Sequence, residues 1–75
     1  NPVSNEVKIN IDSKFRGNLQ IRILDVLGRE VSQQTFEKVF TQEEIKMDLK
    51  HLEKGIYFIE IQDSRGKQVR KVVKE

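Results

Sequence analysis

Leu52-Glu53-Lys54-Gly55-Ile56-Tyr57 reads as a loop that crosses between two sheets and enters a strand. In immunoglobulin-like sandwiches a tyrosine at such a corner packs its ring in the core and donates its hydroxyl to a backbone carbonyl a few residues upstream. That role is expected for Tyr57, with Gly55 supplying the bend and Leu52 plugging the end of the sandwich. The residues just before the corner send two signals. Thr41-Gln42-Glu43-Glu44 has the form of a helix capping box, Ile45, Leu49 and Leu52 fall at helical spacing, and Gly55 stands where a helix C-cap would. Ile45, Met47 and Leu49 also alternate as a strand. The corner decides between them, and residues Glu44 to Leu49 are read as a strand.

Outward from the corner the same period of two recurs, placing one set of side chains on a buried face. Val7, Ile9 and Ile11 mark a first strand, and Leu19, Ile21 and Ile23 a second. Val31 opens a third that runs toward Phe36, Tyr57, Ile59 and Ile61 mark another, and Val69 to Val73 the last. Short strands separated by turn residues give an all-β reading, an immunoglobulin-like antiparallel β-sandwich of about six to seven strands in one domain over residues 1–75. Asp25-Val26-Leu27-Gly28-Arg29-Glu30-Val31 also matches Asp63-Ser64-Arg65-Gly66-Lys67-Gln68-Val69 at a constant offset of 38. Asp25 and Asp63 can accept backbone hydrogen bonds, while Gly28 and Gly66 tolerate positive φ, so each segment reads as a type I turn with a bulge. Convergent turn chemistry is favoured over duplication.

A chain of 75 residues buries only about 60% of the surface its unfolded form exposes. No cysteine supplements that thin core. Lys and Arg number 14 against 12 Asp and Glu, a mixed-sign, solvated surface whose basic excess gathers at Lys67, Arg70, Lys71 and Lys74. The longest apolar run, Ile56-Tyr57-Phe58-Ile59, is far short of the ~20 residues that span a bilayer. The start at Asn1-Pro2, without Met, suggests a piece of a longer protein whose targeting segment lies elsewhere.

Catalytic chemistry finds little support. The only histidine, His51, sits between Lys50 and Leu52 in the corner loop, without a nucleophile or a zinc partner at ligand spacing. Asp12, Asp25, Asp48 and Asp63 form no calcium loop, Glu43 and Glu44 are adjacent rather than facing, and the isolated glycines make no phosphate loop. The reading is of a non-enzyme without metal or cofactor. Among the aromatics only Phe58 could be displayed on an open sheet, so nucleic-acid binding ranks last.

Four pieces stand in order: Asn1-Pro2-Val3-Ser4-Asn5-Glu6-Val7, Ile23-Leu24-Asp25-Val26-Leu27-Gly28-Arg29-Glu30-Val31, Met47-Asp48-Leu49-Lys50-His51-Leu52-Glu53-Lys54-Gly55-Ile56-Tyr57-Phe58, and Lys71-Val72-Val73-Lys74-Glu75. Together they resemble the C-terminal sorting domain, type A, of the type IX secretion system of Bacteroidetes, over nearly the whole chain. The resemblance implies an immunoglobulin-like domain at the end of an exported protein, covalently linked to an N-terminal cargo that enters the periplasm by a signal peptide. It implies recognition by the type IX translocon and its shuttle proteins. It further implies removal by a sortase-like cysteine peptidase, with the cargo secreted or attached to lipopolysaccharide at the cell surface. The scissile bond is expected upstream of Asn1-Pro2. Between Ser32 and Glu44 the chain departs from the family pattern, and Gln33-Gln34-Thr35-Phe36-Glu37-Lys38-Val39-Phe40 replaces a Gly- and Asn-rich loop.

Two candidate recognition elements follow. Lys71, Val72, Val73, Lys74 and Glu75 form a terminal strand that could offer an edge for strand addition; alternatively Val73 and Val69 belong to the core and the lysines to solvation or edge protection. Arg29 follows a turn glycine and could present a fixed guanidinium to a partner, or pin its own turn. Gly28 and Gly55 are read as conformational. The main rival function is a carbohydrate- or protein-binding sandwich appended to a surface enzyme or adhesin. Absence of Trp and use of the lone Tyr in the corner weigh against its glycan-binding form.

Overall fold

Strands with one apolar face must bury it against a second layer, and the apolar positions of this chain form two sheets that do so. The computed structural model describes residues 2–3 and 5–75. Its strands are β1 (Pro2–Val3), β2 (Glu6–Asp12), β3 (Gly17–Leu24), β4 (Glu30–Lys38), β5 (Gln42–Asp48), β6 (Gly55–Asp63) and β7 (Gly66–Lys74). One sheet has the order β1-β7-β6-β3-β4 and the other pairs β2 with β5. All pairings are antiparallel except β1 with β7, which run parallel. This is the sandwich expected from the alternation, with a broad layer facing a narrow one.

Between the layers lie Val7 and Ile9 of β2, Ile45 and Met47 of β5, Leu19, Ile21 and Ile23 of β3, Tyr57, Ile59 and Ile61 of β6, and Val72 of β7. Leu49 is fully buried just past β5, and Leu52 packs half-buried against the same cluster. The segment with competing signals is a strand. Ile45 and Met47 pair with Ile9 and Val7 across the narrow sheet, which a helix would not allow.

The local turns follow from their residues. Gly28 has φ 81°, and its N–H donates to the Asp25 carbonyl at 3.0 Å while Asp25 N–H donates to the Arg29 carbonyl at 2.9 Å. The pairing of β3 with β4 shifts register beside this turn, as a bulge requires. The Asp63–Gly66 turn differs from the bulged form expected of it. Its strands pair from Asp63↔Gly66 outward with no shift, a tight two-residue connection.

The sequence offset has a geometric counterpart. Ile21 pairs with Ile61 and Ile23 with Ile59, so a shift of 38 residues maps each pair onto the other. Arg22 and Glu60, equivalent under the same shift, pair with each other between them. The hairpins β3–β4 and β6–β7 are thus related by a local two-fold axis through the sheet, and their turns point to opposite ends.

At the corner, Tyr57 is 8% exposed and its hydroxyl donates to the Glu53 carbonyl at 2.6 Å. Tyr57→Phe keeps the ring and leaves that carbonyl without its donor. We expect it to lower stability by roughly 1 kcal/mol, seen in urea titration as a lower midpoint at unchanged slope. No change in midpoint would mean that water replaces the hydroxyl at no cost.

Candidate functional site

In an antiparallel sheet the register tells which distant residues share an end, and here it gathers the recognition candidates. Leu24 pairs with Phe58, and Phe58 with Lys71. The turn after Leu24, the corner before Phe58 and the last residues of β7 therefore lie at one end of the broad sheet, with Leu24 and Lys71 two strands or roughly 10 Å apart. Asp63 and Gly66 are at the opposite end.

Arg29 stands on the first turn. Asp25 Oδ1 accepts the N–H groups of Leu27 and Arg29, both at 2.9 Å, and Oδ2 accepts Arg29 Nε at 2.8 Å. The guanidinium is pinned to its own turn while its side chain stays 74% exposed. Val26 and Leu27 at the tip are exposed as well. At the other end Asp63 binds Arg65 N–H at 2.7 Å and Arg65 Nη2 at 2.9 Å, and the Arg65 guanidinium lies over the Phe15 ring, 4.7 Å from its centroid.

The terminal strand is divided between the two faces in a way the sequence did not suggest. Val72 and Lys74 are buried, Val73 is half-buried, and Lys71, Glu75 and Val69 are exposed. The core thus takes Val72 rather than Val73 and Val69, because Val72 pairs with Tyr57 on the inner face. Lys74 is neither solvated nor an edge guard: its Nζ donates to the Leu49 carbonyl at 2.6 Å, to the Lys50 carbonyl at 3.4 Å and to the Leu52 carbonyl. The edge of β7 is also covered at its end, where Pro2 and Val3 pair with Val73 and Lys74. The Tyr57 hydroxyl and the Lys74 amino group thus hold one loop, Leu49 to Glu53, from two sides. Gly55, with φ 154°, begins β6 directly after it.

Three groups escaped the sequence reading. Lys38, fully buried at the end of β4, donates through Nζ to the carbonyls of Ser13 (2.6 Å), Phe15 (3.0 Å), Phe40 (2.6 Å) and Thr41 (2.9 Å). Glu43 accepts from the N–H groups of Val39 and Phe40 at 3.1 and 3.0 Å. Arg22 Nε donates to Glu60 Oε1 at 3.0 Å, Nη2 reaches the same oxygen, and Lys67 Nζ lies 3.6 Å from Oε2. The offset of 38 carried the signal for the Arg22–Glu60 pair; a lysine in a polar stretch carried none for burial.

These contacts set a pH dependence. The Arg29 backbone N–H, with the Arg29 guanidinium and the Leu27 N–H, holds the Asp25 carboxyl below its usual range. Phe40 and Val39 N–H groups do the same for Glu43, Arg22 for Glu60, and the Arg65 side chain and N–H for Asp63. Each carboxyl binds its proton less readily folded than unfolded, so its stabilisation is present above the unfolded carboxylate range, near 4, and is lost as pH falls through the folded values. The melting temperature should therefore hold from neutral pH into the weakly acid range and drop below about pH 4. A melting temperature that rises on acidification would contradict the assignment.

Compared with known proteins, the chain matches one family model, described as the secretion system C-terminal sorting domain, over residues 1–75. No curated protein and no solved structure matches it.

Proposed function

The chain belongs to the family of secretion system C-terminal sorting domains, and from that premise we propose that it is a folded export address, read on its surface and removed after use. As a type IX sorting signal it directs export across the outer membrane, to the cell surface or the medium, and meets the secretion machinery in doing so. The family is one of signals, not catalysts. In the fuller reading, cargo is joined upstream of Asn1, the domain folds in the periplasm, and the translocon with its shuttle proteins recognises it. A sortase-like cysteine peptidase then cuts before the domain and joins the cargo to surface lipopolysaccharide.

The match over the whole chain is the observation that carries this reading. It is supported by the placement of Arg29 and the end of β7 at one end of the sheet. Of the recognition candidates, Val72 and Lys74 face inward and contribute through the fold. Lys71, Glu75 and Arg29 are exposed and supply the contact, with Val73 half-buried beside them. Gly28, Gly55, Tyr57, Asp25, Asp63 and Gly66 shape the turns and the corner that carry them.

A reporter fused upstream of residue 1, produced in cells with and without a type IX translocon, tests the proposal. Surface or medium reporter only in competent cells is expected; equal export in both, or retention in both, overturns it. Lys71 is exposed on β7 and makes no side-chain hydrogen bond among the described residues, so Lys71→Glu should lower export by about tenfold, the equivalent of ~1.4 kcal/mol of recognition, with an unchanged melting curve.

A further inference from the structure

The strands that flank the central β6–β3 pair of the broad sheet, β7 and β4, present unlike edges. β4 carries Glu30 and Glu37, with Lys38 turned inward; β7 carries Lys67, Arg70, Lys71 and Lys74 and no acid. Among the described residues β1 covers β7 at Val73 and Lys74, and no strand pairs with the side of β7 away from β6 from Gly66 to Lys71. Every residue from Gly66 to Lys71 is exposed, on both faces of the sheet. On the inner face the narrow sheet stops short, leaving a groove of about 470 Å³ between β2 and β7, with Ile11, Leu19 and Ile61 as its apolar lining and Asp12, Asp63 and Arg70 among its polar lining.

Backbone geometry determines what that edge can bind. Because Asp63 and Gly66 close a two-residue hairpin, residues 66, 68, 70 and 72 direct N–H and C=O toward β6, and Lys67, Val69 and Lys71 direct theirs outward. Unpaired groups in this row accept an extended segment by main-chain hydrogen bonding, and alternate side chains provide selectivity. A segment lying there sets its outer side chains against Lys67, Val69 and Lys71, at cross-strand distances of ~5 Å where opposite charges attract and like charges repel. Its inner side chains cover Arg70 and reach Ile11, Leu19 and Ile61 in the groove. Lys67 also reaches Glu60 at 3.6 Å, which leaves Arg70 and Lys71 as the cations of the edge outside any ion pair among the described residues.

We propose that β7 from Lys67 to Lys71 is an acceptor edge for an extended acidic segment of a partner protein, with acidic side chains facing the lysines and apolar ones entering the groove beside β2. The same cations keep two copies of β7 from pairing with each other, since each would bring its charges against its own kind. The partner's place in export rests on the sorting reading; binding at the edge does not.

The purified chain, labelled with ¹⁵N and titrated with an eight-residue peptide alternating Val and Glu, tests the edge. Expected are shifts and slowed exchange at the Lys67, Val69 and Lys71 amides, binding that weakens as salt screens the charges, and little binding of the matching Val and Lys peptide. Val69→Pro removes an outward N–H that no strand of the fold uses, and it should abolish peptide binding. A double Lys67→Glu, Lys71→Glu variant, which leaves the backbone untouched, should reverse the preference toward the lysine peptide. No binding at millimolar peptide, equal binding of both peptides, shifts confined to β4, or self-association of the chain through β4 each overturn the proposal. Absence of peptide binding while the reporter is exported normally sinks the acceptor edge alone, and loss of reporter export with peptide binding intact sinks the sorting reading alone.

Discussion

Lys38→Ala is expected to leave much of the chain unfolded at 37 °C. Folded domains hold roughly 0.05–0.15 kcal/mol per residue, or about 4–11 kcal/mol for a chain of this length. The three N–H donors of Lys38 Nζ are shared among four loop carbonyls, and of these the Thr41 carbonyl also accepts Ser13 N–H at 3.0 Å. Each buried acceptor left without a donor costs about 1–3 kcal/mol, and water entering the emptied site recovers part of that. A net loss of about 3–5 kcal/mol follows, a fall in melting temperature of at least ~12 °C at the usual slope for small domains. Lys38→Met separates head from stem: it restores the apolar bulk but not the donors, and it should lie close to alanine. If methionine instead restores native stability, packing of the stem carries the site and the carbonyl contacts are incidental.

Lys38 also shows where sequence reasoning stops. Strands were legible because apolar side chains at period two, as in Leu19, Ile21 and Ile23, have only one face to bury. The corner was legible because Tyr57 has a ring for the core and a hydroxyl that needs a partner. The capping-box pattern near Thr41 suggested a helix because it reports local hydrogen-bonding appetite, and here that appetite is met differently: Glu43 folds back on the Val39 and Phe40 amides. Ile45 and Met47, 2% and 3% exposed, then outweigh the local preference. The inward face of β7 was not legible. Gly66 to Lys71 contain one apolar residue, Val69, and it is exposed, while the adjacent Val72 and Val73 fit either parity. Only the pairing of Tyr57 with Val72 decides it. Nor does any local pattern distinguish a solvated lysine from one that ends among carbonyls, because the acceptors of Lys38 and Lys74 come mostly from residues more than twenty positions away.

A chain ending at Val73 should lose stability and export together, and the reason is the corner rather than the tip. Lys74 Nζ donates to the Leu52 carbonyl and to the Leu49 carbonyl, which also accepts Leu52 N–H at 3.0 Å, and Lys74 lies opposite Val3 of β1 and Gly55 of β6. Its removal takes a donor from the loop that Tyr57 holds from the other side, at a cost of about 1–3 kcal/mol for each acceptor left bare. Removing Glu75 alone, an exposed residue beyond β7, should leave the melting curve where it is. The two truncations therefore give a fold-dependent loss and a fold-independent one, against which Lys71→Glu can be compared. If the machinery reads a folded end of the sheet, Lys74→Met will lose export in step with its lost stability and regain it at lower temperature, where more of the chain is folded. If it reads a linear terminal peptide, Lys74→Met will export normally despite melting early, and the assembled end of the sheet will have no part in recognition.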